Sequence, residues 1–145
     1  MCIRDRDSEL EAAFLTASSE AKKAFDNGDV YLEKFMTGVR HVEMQVLADE
    51  RGHVVCLGER DCSLQRNKQK VIEETPSPAV GPELRRSMEQ AAMLAVQAAH
   101  YTNAGTVEFL LEPNGRFYFI EMNTRLQVEH GVTEEVSNVD IVRCV

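Results

Sequence analysis

The stretch Phe119-Ile120-Glu121-Met122-Asn123-Thr124-Arg125-Leu126-Gln127-Val128-Glu129-His130 decides how this chain is read. Its odd positions from 121 to 129 are Glu, Asn, Arg, Gln and Glu, and its even positions are Met, Thr, Leu, Val and His. Residues two apart in an extended chain share a face. The spacing therefore predicts a row of polar side chains, two carboxylates and a guanidinium among them, along one side of one segment. A strand that only supports a fold has no need of such a row. A site that holds a metal, an anion and a proton acceptor does.

Immediately upstream, Thr106 to Leu111 and Phe117 to Met122 read as two strands around Glu112-Pro113-Asn114-Gly115-Arg116. Asn-Gly favours a two-residue type I′ turn. With Asn114 and Gly115 as the turn residues, Pro113 opposes Arg116 and Glu108 falls opposite Glu121, their Cβ atoms about 5 Å apart. The apolar neighbours Val107, Phe109, Leu110, Phe119 and Ile120 suggest that both faces of this hairpin are covered, where two facing carboxylates repel one another. A divalent cation removes that penalty. Glu108, Glu121 and Asn123 offer only oxygen, which suits Mg²⁺ or Mn²⁺ rather than zinc, and such an ion commonly bridges to phosphate. The alternatives are a pair of edge carboxylates in water, or one carboxylate neutralised by Lys or Arg.

The wider sequence sets bounds on these readings. The chain has 145 residues and 43% hydrophobic side chains, enough for one domain or a piece of a larger one. No apolar run approaches the length of a membrane span, and charge is spread through the first twenty residues, unlike a signal peptide. Cys2, Cys56, Cys62 and Cys144 show no CxxC spacing and read as reduced thiols, placing the chain in the cytoplasm, or in the mitochondrial matrix or plastid stroma of a eukaryote. A net charge of −8 argues against nucleic acid as a partner, and it means that an anionic substrate needs a local cation or a local basic cluster.

Ser8-Glu9-Leu10-Glu11 has the capping-box pattern and opens a predicted helix that runs to about Phe25, where Asn27-Gly28 stops it. Val30 to Phe35 reads as a strand. Arg40 to Leu47 and His53 to Leu57 read as a hairpin around Asp49-Glu50-Arg51-Gly52. Glu59 to Lys70 reads as polar and irregular, and Thr75-Pro76-Ser77-Pro78 as a turn. Pro82 opens a helix to about His100, with Met88, Ala91, Ala92, Ala95 and Ala99 toward a core. A last helix is predicted from near Thr133.

Phe119 to Val132 closely resembles the signature of the biotin carboxylases, the ATP-grasp components of biotin-dependent carboxylases such as acetyl-CoA, propionyl-CoA and methylcrotonoyl-CoA carboxylase. Further blocks look alike in the same order: Val30 to Phe35, Arg40 to Val46, Glu59 to Arg66, Gln69 to Glu74 and Gly105 to Phe109. The resemblance runs from about Asp7 to Arg143. It implies an α+β fold of ATP-grasp type, with 7–35 the end of the lid subdomain and its hinge strand, and 36–145 most of a C-terminal subdomain built on an antiparallel sheet. It also implies a reaction: ATP phosphorylates bicarbonate to carboxyphosphate, and the carboxyl group passes to a ring nitrogen of biotin on a carrier.

The same resemblance implies roles for particular residues. Glu33, Lys34, Phe35 and Met36 meet the adenine through their backbone, and His41 and Gln65 lie near the ribose and phosphates. Glu108, Glu121 and Asn123 hold the metals. Lys70, Arg125, Gln127 and the backbone of Val128 cradle bicarbonate, and Glu129 is the base, kept ionised by Arg125 as its neighbour; a plain Arg125–Glu129 ion pair is the simpler reading. Lys68 stands at a position that faces the nucleotide in the family, within a pair, Asn67-Lys68, that departs from the usual one. The implied partners are a biotin carboxyl carrier protein or domain, a carboxyltransferase and, for the parent protein, a second copy of itself.

Departures from the family set the scope. Met1 to Arg6 match nothing in it and read as a foreign leader standing where a Gly-rich phosphate loop is usual. Gly131 replaces a usual Pro, and Asn138 a usual Gly. The chain ends before a downstream arginine used near biotin, so the isolated chain is expected to be inactive. The rival readings are another ATP-grasp ligase of the carbamoyl-phosphate synthase type, against which Arg125 to His130 speaks, and a non-catalytic nucleotide-binding remnant.

Overall fold

A computed structural model describes residues 6–145, so the expected leader lies outside the described residues except for Arg6. The chain divides into two units, one ending at Thr37 and the other beginning at Gly38.

The first unit is built on one helix, α1 (Leu10–Phe25), entered through a 3₁₀ turn at Asp7–Glu9. The predicted capping box does not form: Glu9 occupies the cap position and no side chain caps the helix. The helix ends at Phe25 as expected, but the residue that stops it is Asp26, whose φ of +54° is left-handed, rather than Asn27-Gly28. Asn27 then accepts the Asp29 N–H at 2.9 Å. Gly28 is needed for room rather than for φ, because a Cβ there would lie 3.1 Å from Ser18 Oγ. The predicted strand from Val30 to Phe35 is absent. Strands exist only as pairs, and the described residues of this unit offer no partner strand.

The second unit carries a five-stranded sheet in the order β3-β2-β1-β4-β5, with every neighbouring pair antiparallel. Its strands are β1 (Arg40–Ala48), β2 (Val54–Arg66), β3 (Gln69–Glu74), β4 (Asn103–Leu111) and β5 (Phe117–Asn123). The β1–β2 turn lies where it was predicted: Asp49 Oδ1 accepts the N–H groups of Arg51 and His53, and Gly52 takes φ +84°. The stretch read as irregular, Glu59 to Lys70, is instead the second half of β2, a tight turn and the start of β3. Asn67 and Lys68 have φ of +52° and +66°, the type I′ signature. The turn has no glycine to mark it in the sequence, and polar residues pair across it, Arg66 with Gln69 and Gln65 with Lys70.

The β4–β5 hairpin differs from its prediction in an instructive way. Its loop has three residues, Pro113, Asn114 and Gly115, with Gly115 at φ +85° and Glu112 paired to Arg116 by a 2.8 Å bond. Leu111, Leu110 and Phe109 consequently pair with Phe117, Tyr118 and Phe119, one step off the predicted register. A bulge then absorbs Ile120, and Glu108 meets Glu121 as expected. The covering expected for this hairpin is one-sided, since Phe119 and Ile120 are exposed.

Polar and apolar residues alternate along β1 and β4, so the sheet has two unlike faces. Val42, Met44, Val46, Val107, Phe109 and Leu111 pack on Met88, Ala92 and Val96 of helix α2 (Pro82–Ala98). Pro82 opens that helix as expected. Ala99 lies past its end and is exposed. Glu59 and Asp61, buried on the same side, anchor the approach to α2. Arg85 grips Glu59 at 2.6 and 2.7 Å, and Ser77 and Arg40 bind Asp61 at 2.8 and 2.9 Å. The opposite face is crossed by helix α3 (His130–Ser137), which begins three residues before Thr133 and carries Gly131 in its first turn.

Candidate active site

Strand pairing alone assembles a charged row across the polar face. Arg60 on β2 pairs with Glu43 on β1, Glu43 with Glu108 on β4, and Glu108 with Glu121 on β5. The next row places Gln45 beside Thr106 and Thr106 beside Asn123. Arg60, Glu43, Gln45 and Thr106 are wholly buried. Burying charge is costly unless each group is paired, and here each is. Arg60 donates to Glu43 at 2.6 Å, Gln45 at 2.7 Å, Thr133 at 2.9 Å and Thr106 at 3.2 Å.

Lys70 reaches into this row from β3, the strand formed by the Asn67-Lys68 turn. Its ammonium contacts Glu43, Glu129 at 2.5 Å, Glu108 at 3.3 Å and Gln127 at 3.5 Å. Burial opposes the charge on Lys70, but its bonds to Glu129 and Glu43 outweigh that and push its pKa up. Burial likewise favours the neutral acid at Glu129, yet the Lys70 bond and charge hold its pKa below the usual carboxylate value. Glu108 shows the largest such effect. Burial would raise it, but the bond and charge of His41, with Lys70 and Gln127, bring it down to about 2. Cys62, buried nearby, is pushed up by burial and by the charge of Glu43, and stays a thiol.

Glu108 is also the meeting point of the predicted nucleotide-side residues. His41 Nε2 lies 2.8 Å from its Oε2, and His41 Nδ1 lies 2.7 Å from the Gln65 amide. Asn123 and Gln127 donate to its Oε1 at 2.9 and 3.2 Å. The Asn123 amide stands between Glu108 and Glu121, 2.9 Å from one carboxylate and 3.5 Å from the other. A polar atom held between two carboxylates marks a position where a hard cation fits. Turning the amide over would present its oxygen to that ion.

The row predicted along Glu121 to Glu129 does not exist as one face. β5 ends at Asn123, and the chain leaves the sheet before entering α3. β5 is an edge strand whose ladder stops at the Thr106–Asn123 pair, although β4 itself runs three residues further, to Asn103. Gln127 turns inward and is buried, while Val128 is 95% exposed. Arg125 is exposed, and its hydrogen bonds among the described residues go to Leu126 O and Asn123 Oδ1, each at 3.4 Å. It does not pair with Glu129, either as the neighbour of a base or as a plain ion pair; Lys70 takes that place.

Of the remaining candidates, Lys68 sits at the tip of the β2–β3 turn. Glu33, Lys34, Phe35 and Met36 belong to the first unit, in irregular backbone. Sequence reasoning missed Arg60, Glu43, Gln45, Thr106 and Thr133. A signal was present in Val42-Glu43-Met44-Gln45-Val46, whose strict alternation makes Glu43 and Gln45 a buried polar face rather than a solvated one.

The chain belongs to the family described as the ATP-binding domain of the carbamoyl-phosphate synthase L chain, whose model matches residues 1–145. It is 57% identical over 140 residues to the biotin carboxylase of Nostoc sp., covering 97% of this chain and 31% of that protein. Among solved structures it resembles the biotin carboxylase of Campylobacter jejuni in its β-γ-ATP complex, with a TM-score of 0.84 and 48% identity over 95% of this chain and 31% of that one. It also resembles the biotin carboxylase domain dimer of Hydrogenobacter thermophilus 2-oxoglutarate carboxylase, in complex with MgADP, ADP and bicarbonate. There the TM-score is 0.81 and identity 47%, over 94% of this chain and 30% of that one. The fold is thus α+β of ATP-grasp type, and the chain spans about a third of the length of these relatives.

Proposed function

We propose that this chain is the bicarbonate- and metal-handling part of a biotin carboxylase, an ATP-dependent ligase that activates bicarbonate and carboxylates biotin on a carrier. The observation that carries the reading is Lys70, a half-buried ammonium shared between Glu43 and Glu129 and within 3.5 Å of Glu108 and Gln127. Phosphoryl transfer to a small anion needs positioning and charge neutralisation more than covalent chemistry. Lys70 and Arg125 supply two cations for the anion, one fixed in the sheet and one free on the loop. Glu129 is ionised through Lys70, as a base must be before it accepts the bicarbonate proton.

Glu108, Glu121 and Asn123 would hold Mg²⁺ or Mn²⁺, which when bound neutralises phosphate oxygens. His41, Gln65 and Lys68 face the nucleotide, and Glu33 to Met36 meet its base. Gln127 and the Val128 backbone complete the bicarbonate cradle. A biotin carrier, a carboxyltransferase and a second copy of the protein are the partners this reading requires.

Grafting the chain in place of the matching residues of the Nostoc enzyme tests it. Biotin-stimulated release of ADP in the presence of bicarbonate is expected, together with its loss on Glu129→Gln. A folded chimera that hydrolyses ATP without response to bicarbonate or biotin would favour the carbamoyl-phosphate synthase type of ligase. One that does not turn over ATP at all would favour a non-catalytic remnant.

A further inference from the structure

We propose that Arg60 is a positioning residue of this site: by gripping Glu43 from below and tethering α3 through Thr133, it divides Lys70 between Glu43 and Glu129 and so sets the charge state of the proposed base. The consequence for bicarbonate rests on the preceding reading; the geometry does not.

Arg60 is wholly buried, and among the described residues its hydrogen bonds go to none of the groups placed in the anion or metal cradle, although its charge adds to that of Lys70 in holding Glu129 ionised. Its donors reach two strands and one helix: Glu43 and Gln45 on β1, Thr106 on β4 and Thr133 on α3. A buried ion pair does not by itself gain stability over well-packed apolar side chains. The geometry gives it a different use. Arg60 Nε occupies Oε1 of Glu43, which leaves Oε2 for Lys70. With half of Glu43 committed elsewhere, Lys70 has a bond to spare for Glu129.

The second arm acts on Glu129 from the other side. Glu129 caps α3, and Thr133 lies four residues on, on the same side of the helix. The 2.9 Å bond from Arg60 to Thr133 therefore pins the turn of backbone from which Glu129 projects. A planar fork can hold Glu43, Gln45, Thr106 and Thr133 at once; a lysine ammonium on a flexible stem cannot. Without the fork, Glu43 is free to take Lys70 with both oxygens, and Glu129 is left buried without its counter-ion.

The test uses the 145-residue chain and two readouts. The first is the titration of the Glu129 side-chain carboxyl, followed by carbon NMR with the remote, exposed Asp49 as control. The second is the affinity for ¹³C-bicarbonate. In Arg60→Lys, Glu129 should titrate at higher pH than in the parent while Asp49 does not move. Bicarbonate affinity should fall roughly ten- to a hundredfold, the range seen when a residue that orients a ligand-bearing group is lost. Combined with Glu43→Gln, the two changes should be strongly non-additive, because both act on the same lysine.

A folded Arg60→Lys with an unmoved Glu129 titration, or strict additivity with Glu43→Gln, overturns the proposal. Should Arg60→Lys fail to fold, Thr133→Val decides: it removes only the α3 tether and is expected to shift Glu129 in the same direction by less, and no shift overturns the proposal. If the parent chain binds no bicarbonate, the functional reading fails, while the Glu129 titration still decides the part played by Arg60.

Discussion

The two faces of the sheet bury comparable side chains for opposite purposes. On one, Val42, Met44, Val46, Val107 and Phe109 meet Met88, Ala92 and Val96 of α2, and the charges admitted there, Glu59 and Asp61, are each closed off by dedicated partners. On the other, Glu43, Glu108 and Glu129 share a single ammonium. Private pairing is what a scaffold needs. Shared pairing places three carboxylates around one cation over which they can exchange partners, which is what a site needs.

The largest expected effect falls on the apolar face. Met88→Ala opens a cavity at a fully buried position and should cost about 2–5 kcal/mol in urea unfolding, with the Glu129 titration unchanged. A shift of both together would show that the faces are not independent. Glu59→Gln, which takes the charge from the bond pair to Arg85, should cost roughly 1.5–3 kcal/mol in a thermal melt. A negligible cost would mean that the private clamp is decorative.

The polar face should show itself in pH. The pKa of Glu108 is depressed from 4.5 to about 2, so it contributes stability that is fully present above about pH 4.5 and lost as the pH falls toward 2. Glu108→Gln should flatten the acid limb of the stability curve in that window, measured by denaturant unfolding from pH 2 to 6. An unchanged limb would locate the acid sensitivity elsewhere. The smallest effect on folding is expected at exposed Glu121, where Glu121→Gln should change stability by less than about 0.5 kcal/mol. The same change should weaken Mg²⁺ binding, measured by titration calorimetry, by roughly tenfold, or about 1.4 kcal/mol.

Long-period features were legible in the sequence. The α2 stripe, the Asp49–Gly52 hairpin and the Glu108–Glu121 pairing follow from periodicity and turn chemistry, although that pairing was reached through a turn that does not form. What stayed hidden depends on partners far apart in the chain. Val30 to Phe35 has strand propensity but no strand to pair with among the described residues of its unit. Asn67-Lys68 turns without the glycine that usually announces a type I′ hairpin. The bonds of Lys70 to Glu43 and Glu129 join residues 27 and 59 positions away, and no local pattern encodes them. Arg125, conspicuous beside Glu129 in sequence, turned out to face solvent because the strand ends first.

The bulge at Ile120 separates two kinds of change that a hairpin ordinarily couples. In a regular ladder, adding one residue at the tip slides every pair below it and turns each side chain to the opposite face. Here the surplus is discharged between Phe119 and Glu121, before the ladder reaches Glu108. The strand works as an expansion joint: its distal half can follow the length of the loop while its proximal half stays in phase with β4. Tip length in this hairpin is therefore free to drift without moving the carboxylates, and the site inherits its geometry from the sheet rather than from the turn.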